Sequence, residues 1–346
     1  MTLTKVVPKG EVLLTGGSGF IASHILDYLL DEGLFEVVAT ARSDAKGRQI
    51  IDGVKPEHRK LVSYVVVEDI SVPGAFDTVL KLTPFDYVVH TASPYHNNIV
   101  DPVKDFLDPA IKGTTGILHS VKAHAPSVMR VVITSSSAAM LNPGNHAKVY
   151  DESHWATVSW EDAMDPRHTY RCSKYFSEKA AWSFMVSEKP HFDLAVINST
   201  YNFGPIQRGL PNLESMNTSN HRIRDLVLGR MREQIEPTAP VFTWVDVRDV
   251  ALSHVRAMTI PEAGDSRFYV VGGHFSNKRL ADIIREHFPQ IADDLPPADT
   301  VDDFPEDVYQ FDNTRSRKVL GLKYTDLETS VVDTVRSILD LRPTKA

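Results

Sequence analysis

The stretch Glu11-Val12-Leu13-Leu14-Thr15-Gly16-Gly17-Ser18-Gly19-Phe20-Ile21-Ala22 decides the fold. A short apolar run leads into a glycine-rich turn, and a helical pattern follows. Gly16 permits the tight bend, Gly19 lets the backbone approach a ligand closely, and the small Ala22 lets the helix pack on the strand. An anion is favoured at the start of such a helix, where unpaired N–H groups and the helix dipole point outward. Strand, turn and helix in this order form the context that a dinucleotide pyrophosphate requires.

Working outward, further apolar runs occur at 36–40, 61–67, 87–90, 130–134 and 193–198. They are continuous and rich in β-branched residues rather than alternating, as strands covered on both faces are. Segments long enough for crossover helices lie between them, such as 103–124 and 171–189. This repetition predicts an α/β protein: a doubly wound parallel-sheet Rossmann domain with a smaller C-terminal α/β lobe. Beyond 198 the pattern changes. Residues 202–240 are rich in Pro, Asn and Gly, with a helix expected at 221–232. The run 241–245 reads as a strand, and Asp246 as the cap of the helix after it, with Asp249 in the first turn. A further strand is expected at 267–271, helices at 280–287 and 329–341, and an acidic, proline-rich surface excursion at 293–306. The expected division is 1–200 as the nucleotide-binding domain, with 241–260 returning to its sheet. Segments 201–240 and 261–346 would form a substrate-binding lobe over the ligand edge.

The chain has 346 residues, 42% hydrophobic and 24% charged, as soluble globular proteins do. Its net charge of −8 argues against nucleic acid or an anionic membrane as partner. No stretch approaches the ~20 apolar residues of a spanning helix, and neither end carries a recognisable targeting signal. The single cysteine, Cys172, forms neither an internal disulfide nor a multi-cysteine zinc site, so a cytoplasmic location is expected. The fourteen histidines show no ligand spacing, and no metal is expected.

The end of the second strand selects the cofactor. NAD sites place an acid there for the ribose 2′-hydroxyl. Here the chain reads Val38-Ala39-Thr40-Ala41-Arg42-Ser43. Arg42, assisted by Lys46, would clamp a 2′-phosphate, so NADP(H) is the expected cofactor. Asp69 and Ile70 follow the third strand, where the adenine would sit. Thr91, Ala92 and Ser93 follow the fourth and leave room for ribose and nicotinamide. Tyr170 and Lys174 are spaced to share a helix face. A cation beside a phenol, whose reference pKa is about 10, favours its ionised form and makes it a usable acid. Cys172 lies between them and points off that face.

In this order the motifs resemble the extended short-chain dehydrogenase/reductase family: the glycine turn, Asp69-Ile70, His90-Thr91-Ala92-Ser93-Pro94, Thr134-Ser135-Ser136, and Tyr170 with Lys174. Gly204-Pro205 and Asp246-Val247-Arg248-Asp249-Val250-Ala251 match later landmarks. Ala41-Arg42-Ser43, Thr91-Ala92-Ser93-Pro94 and Tyr150-Asp151-Glu152-Ser153 look like the dihydroflavonol-reductase-like branch, nearest to fungal NADPH-dependent methylglyoxal, aldehyde and carbonyl reductases. The resemblance implies a cofactor site made of Gly16, Ser18, Gly19, Phe20, Ile21, Arg42, Lys46, Asp69, Ile70, Thr91, Ala92, Ser93, Tyr170 and Lys174. It implies that Tyr170 donates a proton to a small-molecule carbonyl as hydride arrives. Lys174 would lower the Tyr170 pKa and bind the nicotinamide ribose. A serine would hold the carbonyl oxygen: counting from the strand end selects Ser136, with Ser135 and Ser137 as alternatives. Implied pocket residues are Tyr95, Ser137, Met140, Tyr201 and Asn202. Asn198-Ser199 stands where the family often has Asn-Pro. Leu141 occupies the place of an asparagine typical of flavonoid reductases, and His168-Thr169-Tyr170 replaces the Asn-Trp-Tyr run of the cinnamoyl branch. The expected activity is NADPH-dependent reduction of aldehydes and ketones by a monomer or homodimer. The alternatives are an NAD-dependent sugar-nucleotide epimerase or dehydratase, a flavonoid or cinnamoyl-type reductase, and a cofactor-binding sensor without turnover.

Overall fold

Apolar residues on both sides of each central strand require helices on both sides of the sheet, and the computed structural model places them there. It describes residues 10–93, 100–207 and 209–341. The twelve strands are β1 (Gly10–Thr15), β2 (Phe35–Ala41), β3 (Val62–Val66), β4 (Tyr87–His90), β5 (Arg130–Ser136), β6 (Val149–Tyr150), β7 (Asp193–Ser199), β8 (Tyr201–Phe203), β9 (Thr243–Asp246), β10 (Ser266–Val270), β11 (Gly273–His274) and β12 (Gln310–Phe311). The ten helices are α1 (Phe20–Asp31), α2 (Asp44–Gly53), α3 (Asp77–Leu82), α4 (Asp108–His124), α5 (Pro166–Glu188), α6 (His221–Val227), α7 (Val247–Thr259), α8 (Asn277–His287), α9 (Thr314–Val319) and α10 (Leu327–Leu341).

Seven strands form one sheet in the order β10-β7-β5-β4-β1-β2-β3, and every pairing in it is parallel. Within β1, Val12 and Leu14 join the core under α1 and α7. Leu13 joins the opposite core with Ile117 and Val121 of α4 and Phe184 of α5. Alternation across a strand buried on both faces is why the sequence shows a continuous apolar run. Helix α5 starts five residues before the expected 171. Asp165 caps it by accepting the Arg167 N–H at 3.0 Å, and Pro166 opens the first turn. Helix α6 stops at Val227, short of the expected 232, before the left-handed Gly229.

Two strands sit elsewhere than the sequence suggested. The segment expected to return to the main sheet, β9, instead lies in a small sheet of order β11-β9-β8. Trp244 explains this: its side chain is buried with Phe203, Phe275 and Leu280 in a second core shared with α6, α8 and α10. Only α7, capped by Asp246 at 2.8 Å, returns to pack against α1. Conversely β10, assigned to the lobe, is the edge strand of the main sheet beside β7. Arg130 at the start of β5 fixes that path. Its guanidinium binds Asp193 at 2.5 and 2.9 Å and donates to the carbonyls of Ala257 (2.7 Å), Ile260 and Pro261 (3.0 Å). The chain leaving α7 is thus held at the foot of β7, where β10 begins.

Replacing Arg130 with Ala orphans these carbonyls and one carboxylate together. The expected loss is about 2–4 kcal/mol, read as a lower urea midpoint at unchanged slope.

Candidate active site

The C-terminal edge of a parallel sheet is where ligands bind in this architecture. Here the ends of β1 to β5 and β7 open into one cleft of about 1330 Å³. That exceeds what a single drug-sized ligand needs, and leaves space for a dinucleotide and a small second molecule.

The glycine turn forms its first wall. Gly16 has φ of +67°, and a Cβ there would stand 3.0 Å from the Ala92 backbone. The Gly16 N–H donates to Thr40 Oγ1 at 3.2 Å, and the Gly17 N–H to the Thr40 carbonyl at 2.9 Å. Gly19 caps α1 with no side-chain hydrogen bond, and the first turn carries no acid. The open N–H groups of α1 therefore face the cleft through Phe20, Ile21 and Ala22. Such a cradle fits a pyrophosphate.

Ser18, Gly19, Arg42 and Lys46 continue the wall. Arg42 is exposed and has no protein partner among the described residues. Lys46 contacts Gln49 at 3.0 Å, and Ser43 caps α2. The nearby Asp44 is already occupied by Arg48 at 2.8 Å and by the Tyr64 hydroxyl at 2.6 Å. Net positive charge is thus left where a 2′-phosphate would lie. Asp69 and Ile70 border the next section. The Ser71 N–H and hydroxyl both donate to Asp69 Oδ1, at 2.8 and 2.6 Å, which holds this carboxyl below the usual range and leaves Oδ2 outside those bonds.

Thr91, Ala92 and Ser93 follow β4 into the cleft. The Thr91 hydroxyl donates to the Thr15 carbonyl at 2.6 Å, and the Ala92 N–H to Thr15 Oγ1 at 3.2 Å. Across from them stands α5 with Tyr170 and Lys174 on one face. The Lys174 ammonium lies 5.9 Å from the centre of the Tyr170 ring and donates to Ser93 Oγ at 3.1 Å. Burial pushes Lys174 down to about 8, against the opposing pull of Glu178.

The serine run separates by partner. The Ser135 hydroxyl donates to Glu178 Oε2 at 2.5 Å, inside the protein. Ser136 accepts the Ala138 N–H at 3.1 Å, which leaves its own proton for another acceptor. Ser137 also borders the cleft, as do Tyr201 and Asn202. Met140 does not: it is wholly buried with Tyr150, Phe242 and Tyr269, because the turn after Ser137 rotates it inward and brings Leu141 to the cleft. Tyr95 lies outside the described residues. Asn142 is turned away, binding the Trp155 carbonyl and the Thr157 N–H. Cys172 packs in a small buried cluster with Leu107 and Ala163, and burial raises its thiol to about 11, so it is no nucleophile.

Some site residues escaped the sequence reading. Met216, Asn217, Pro240 and Val241 reach the cleft from the irregular lobe segment, and no local pattern marks them. Glu178 was also missed, although it stands one helical turn beyond Lys174.

A family model described as "NAD dependent epimerase/dehydratase family" matches residues 12–272. The chain is 54% identical over 331 residues to the ketoreductase azaE of Aspergillus niger, covering 95% of this chain and 98% of the relative. It is 35% identical over 342 residues to the NADPH-dependent methylglyoxal reductase GRE2 of Saccharomyces cerevisiae, covering 95% and 98%. The crystal structure of Gre2 from Candida albicans in complex with NADPH superposes with a TM-score of 0.89 at 35% identity, covering 96% of this chain and 99% of that one.

Replacing Arg42 with Ala is expected to weaken NADPH binding about tenfold or more, as loss of a charged hydrogen-bonded pair does, while NADH changes less than about twofold. Fluorescence titration with both nucleotides checks it; an unchanged ratio between them rejects the 2′-phosphate assignment.

Proposed function

The chain belongs to the NAD dependent epimerase/dehydratase family, and we propose that within it Tyr170 is the proton donor of an NADPH-dependent carbonyl reductase. Aldehydes and ketones, keto esters and dicarbonyls among them, are its substrate class, and chiral alcohols its products. One observation carries the reading. Tyr170, Lys174 and Ser136 border the same cleft as the glycine turn and the unpartnered Arg42.

NADPH, when bound, supplies the hydride. The glycine turn and the start of α1 hold its pyrophosphate, Arg42 and Lys46 its 2′-phosphate, and Lys174 with Thr91, Ala92 and Ser93 its nicotinamide half. The protein's own task is to manage charge on the carbonyl oxygen. Ser136 has accepted the Ala138 N–H, so its hydroxyl donates to that oxygen and fixes it in line. Tyr170 passes its phenolic proton to the same oxygen as negative charge develops. The Lys174 ammonium, largely charged at neutral pH, stabilises the phenolate left behind. Water then restores the tyrosine proton.

Ala41, standing where an NAD site places an acid, and Arg42 directly after it separate this reading from a sugar-nucleotide epimerase with the same Tyr-Lys pair. No described helix is long and apolar enough to cross a membrane. On this reading the enzyme acts on small molecules in the cytoplasm, as a monomer or homodimer.

Tyr170→Phe removes the proton and keeps the ring. It is expected to lower kcat at least about a hundredfold, with NADPH affinity within about twofold. Comparable turnover by the variant excludes Tyr170 as the acid. The serines give a second test: Ser136→Ala should cost about a hundredfold in kcat, and Ser135→Ala far less. The reverse order would transfer the role to Ser135.

A further inference from the structure

Glu178 is 1% exposed, yet it is ionisable and sits on the catalytic helix. Tyr170, Lys174 and Glu178 are spaced i, i+4 and i+8, so they share one face of α5. Four donors converge on the carboxylate. Oε2 accepts the Ser135 hydroxyl at 2.5 Å and Asn198 Nδ2 at 2.7 Å. Oε1 accepts Arg267 Nε at 2.6 Å and Trp182 Nε1 at 3.4 Å. Asn198 Nδ2 also reaches the Ser136 carbonyl at 3.3 Å. The donors come from β5, β7, β10 and α5 itself. Arg267 is held in turn: it donates to the carbonyls of Glu152 (2.6 Å) and His154 (2.9 Å) and lies 3.7 Å over the Trp155 ring.

We propose that Glu178 is a positioning residue for reduction: its carboxylate clamps α5 to the strand ends that carry Ser135 and Ser136, and its negative charge keeps the buried Lys174 ammonium protonated. This rests on the reading of Tyr170 and Lys174 as proton donor and charged partner. A purely structural clamp could be uncharged, because burying a carboxylate against an arginine gains little over apolar packing. The location of the charge is what matters. Lys174 is buried at the cleft wall, its ammonium donates to the neutral Ser93 hydroxyl, and Glu178 opposes the desolvation that drives it towards the neutral amine. The titratable groups facing Lys174 are Tyr170 and Glu178 on its own helix and His90 of β4, which burial lowers to about 3 and so keeps neutral. Helix α4, β5 and the turn Ser137–Ala139 contribute no charge that acts on it among the described residues. Arg267 of β10 and Lys179 of α5 surround Glu178 itself.

The test is the single-turnover rate of NADPH oxidation by a simple ketone, followed against pH. Wild type, Glu178→Gln, Glu178→Asp and the double variant Glu178→Gln/Arg267→Gln are compared. The double variant removes the buried pair as a unit and carries the test where the single one does not fold. In wild type the rate should fall as pH rises through about 8, as Lys174 loses its proton. With the carboxylate gone, desolvation is unopposed, so the falling limb should move down by about one pH unit with NADPH affinity within about twofold. Glu178→Asp, which keeps the charge, should retain the wild-type limb even if the rate drops. A limb that stays in place in either folded glutamine variant overturns the role of Glu178 alone. A wild type that reduces no carbonyl with NADPH overturns that role together with the reading beneath it.

Discussion

Burying one ammonium group is the constraint on which the site depends. Lys174, on α5, is buried beside the end of β4, and desolvation pulls its pKa down to about 8. The structure offsets this with the Glu178 carboxylate one turn along the helix, while the ammonium donates to the neutral Ser93 hydroxyl. The balance leaves a cation with a pKa of about 8 beside the Tyr170 ring, as the proposed role requires. Helix α5 can hold that balance only if it cannot slide. Its cap at Asp165, its apolar face under Phe184, and the four-donor clamp at Glu178 each fix its register against the sheet.

The cofactor wall follows the same principle with the opposite sign. It is built to receive anions, and it does so by withholding partners. The start of α1 has no capping side chain and no acid, so its N–H groups remain available. Asp44 is taken up by Arg48 and Tyr64, and Arg42 has no partner among the described residues. Positive charge therefore lies at both ends of this wall, although the chain as a whole is acidic.

Two cores meet at the cleft. The sheet and its helices bring the glycine turn, Ser136, Tyr170 and Lys174 to the cleft. The second core, around Trp244, Phe203 and Phe275, supports the segment that brings Met216, Asn217, Pro240 and Val241 to the far wall. The chain passes between these bodies after β7, after β9 and again after β10. Trp244 and Arg130 decide where, one by needing an apolar partner and the other by gathering carbonyls.

Much of this was legible before any coordinates. Strand positions β1 to β5 and β7, the glycine turn, the missing acid after β2, and the Tyr170–Lys174 spacing are local patterns, because hydrophobic period, turn chemistry and helix spacing are properties of neighbouring residues. Local pattern also showed that Asp246 would cap α7. It did not show that β9 and β10 belong to different sheets, since both are short apolar runs and only their distant packing distinguishes them. It placed Met140 in the pocket, where one turn of backbone in fact exchanges it for Leu141. Nor could it separate three consecutive serines. Ser135 is set apart by Glu178, 43 residues away and itself held by Arg267, 89 residues further on. The sequence by itself determined the doubly wound parallel sheet and the cofactor, and singled out Tyr170 with Lys174 as candidates; the tertiary structure alone decided that the Ser135 hydroxyl is spent on Glu178, because a buried hydrogen bond is chosen by proximity in space and leaves no periodic trace along the chain.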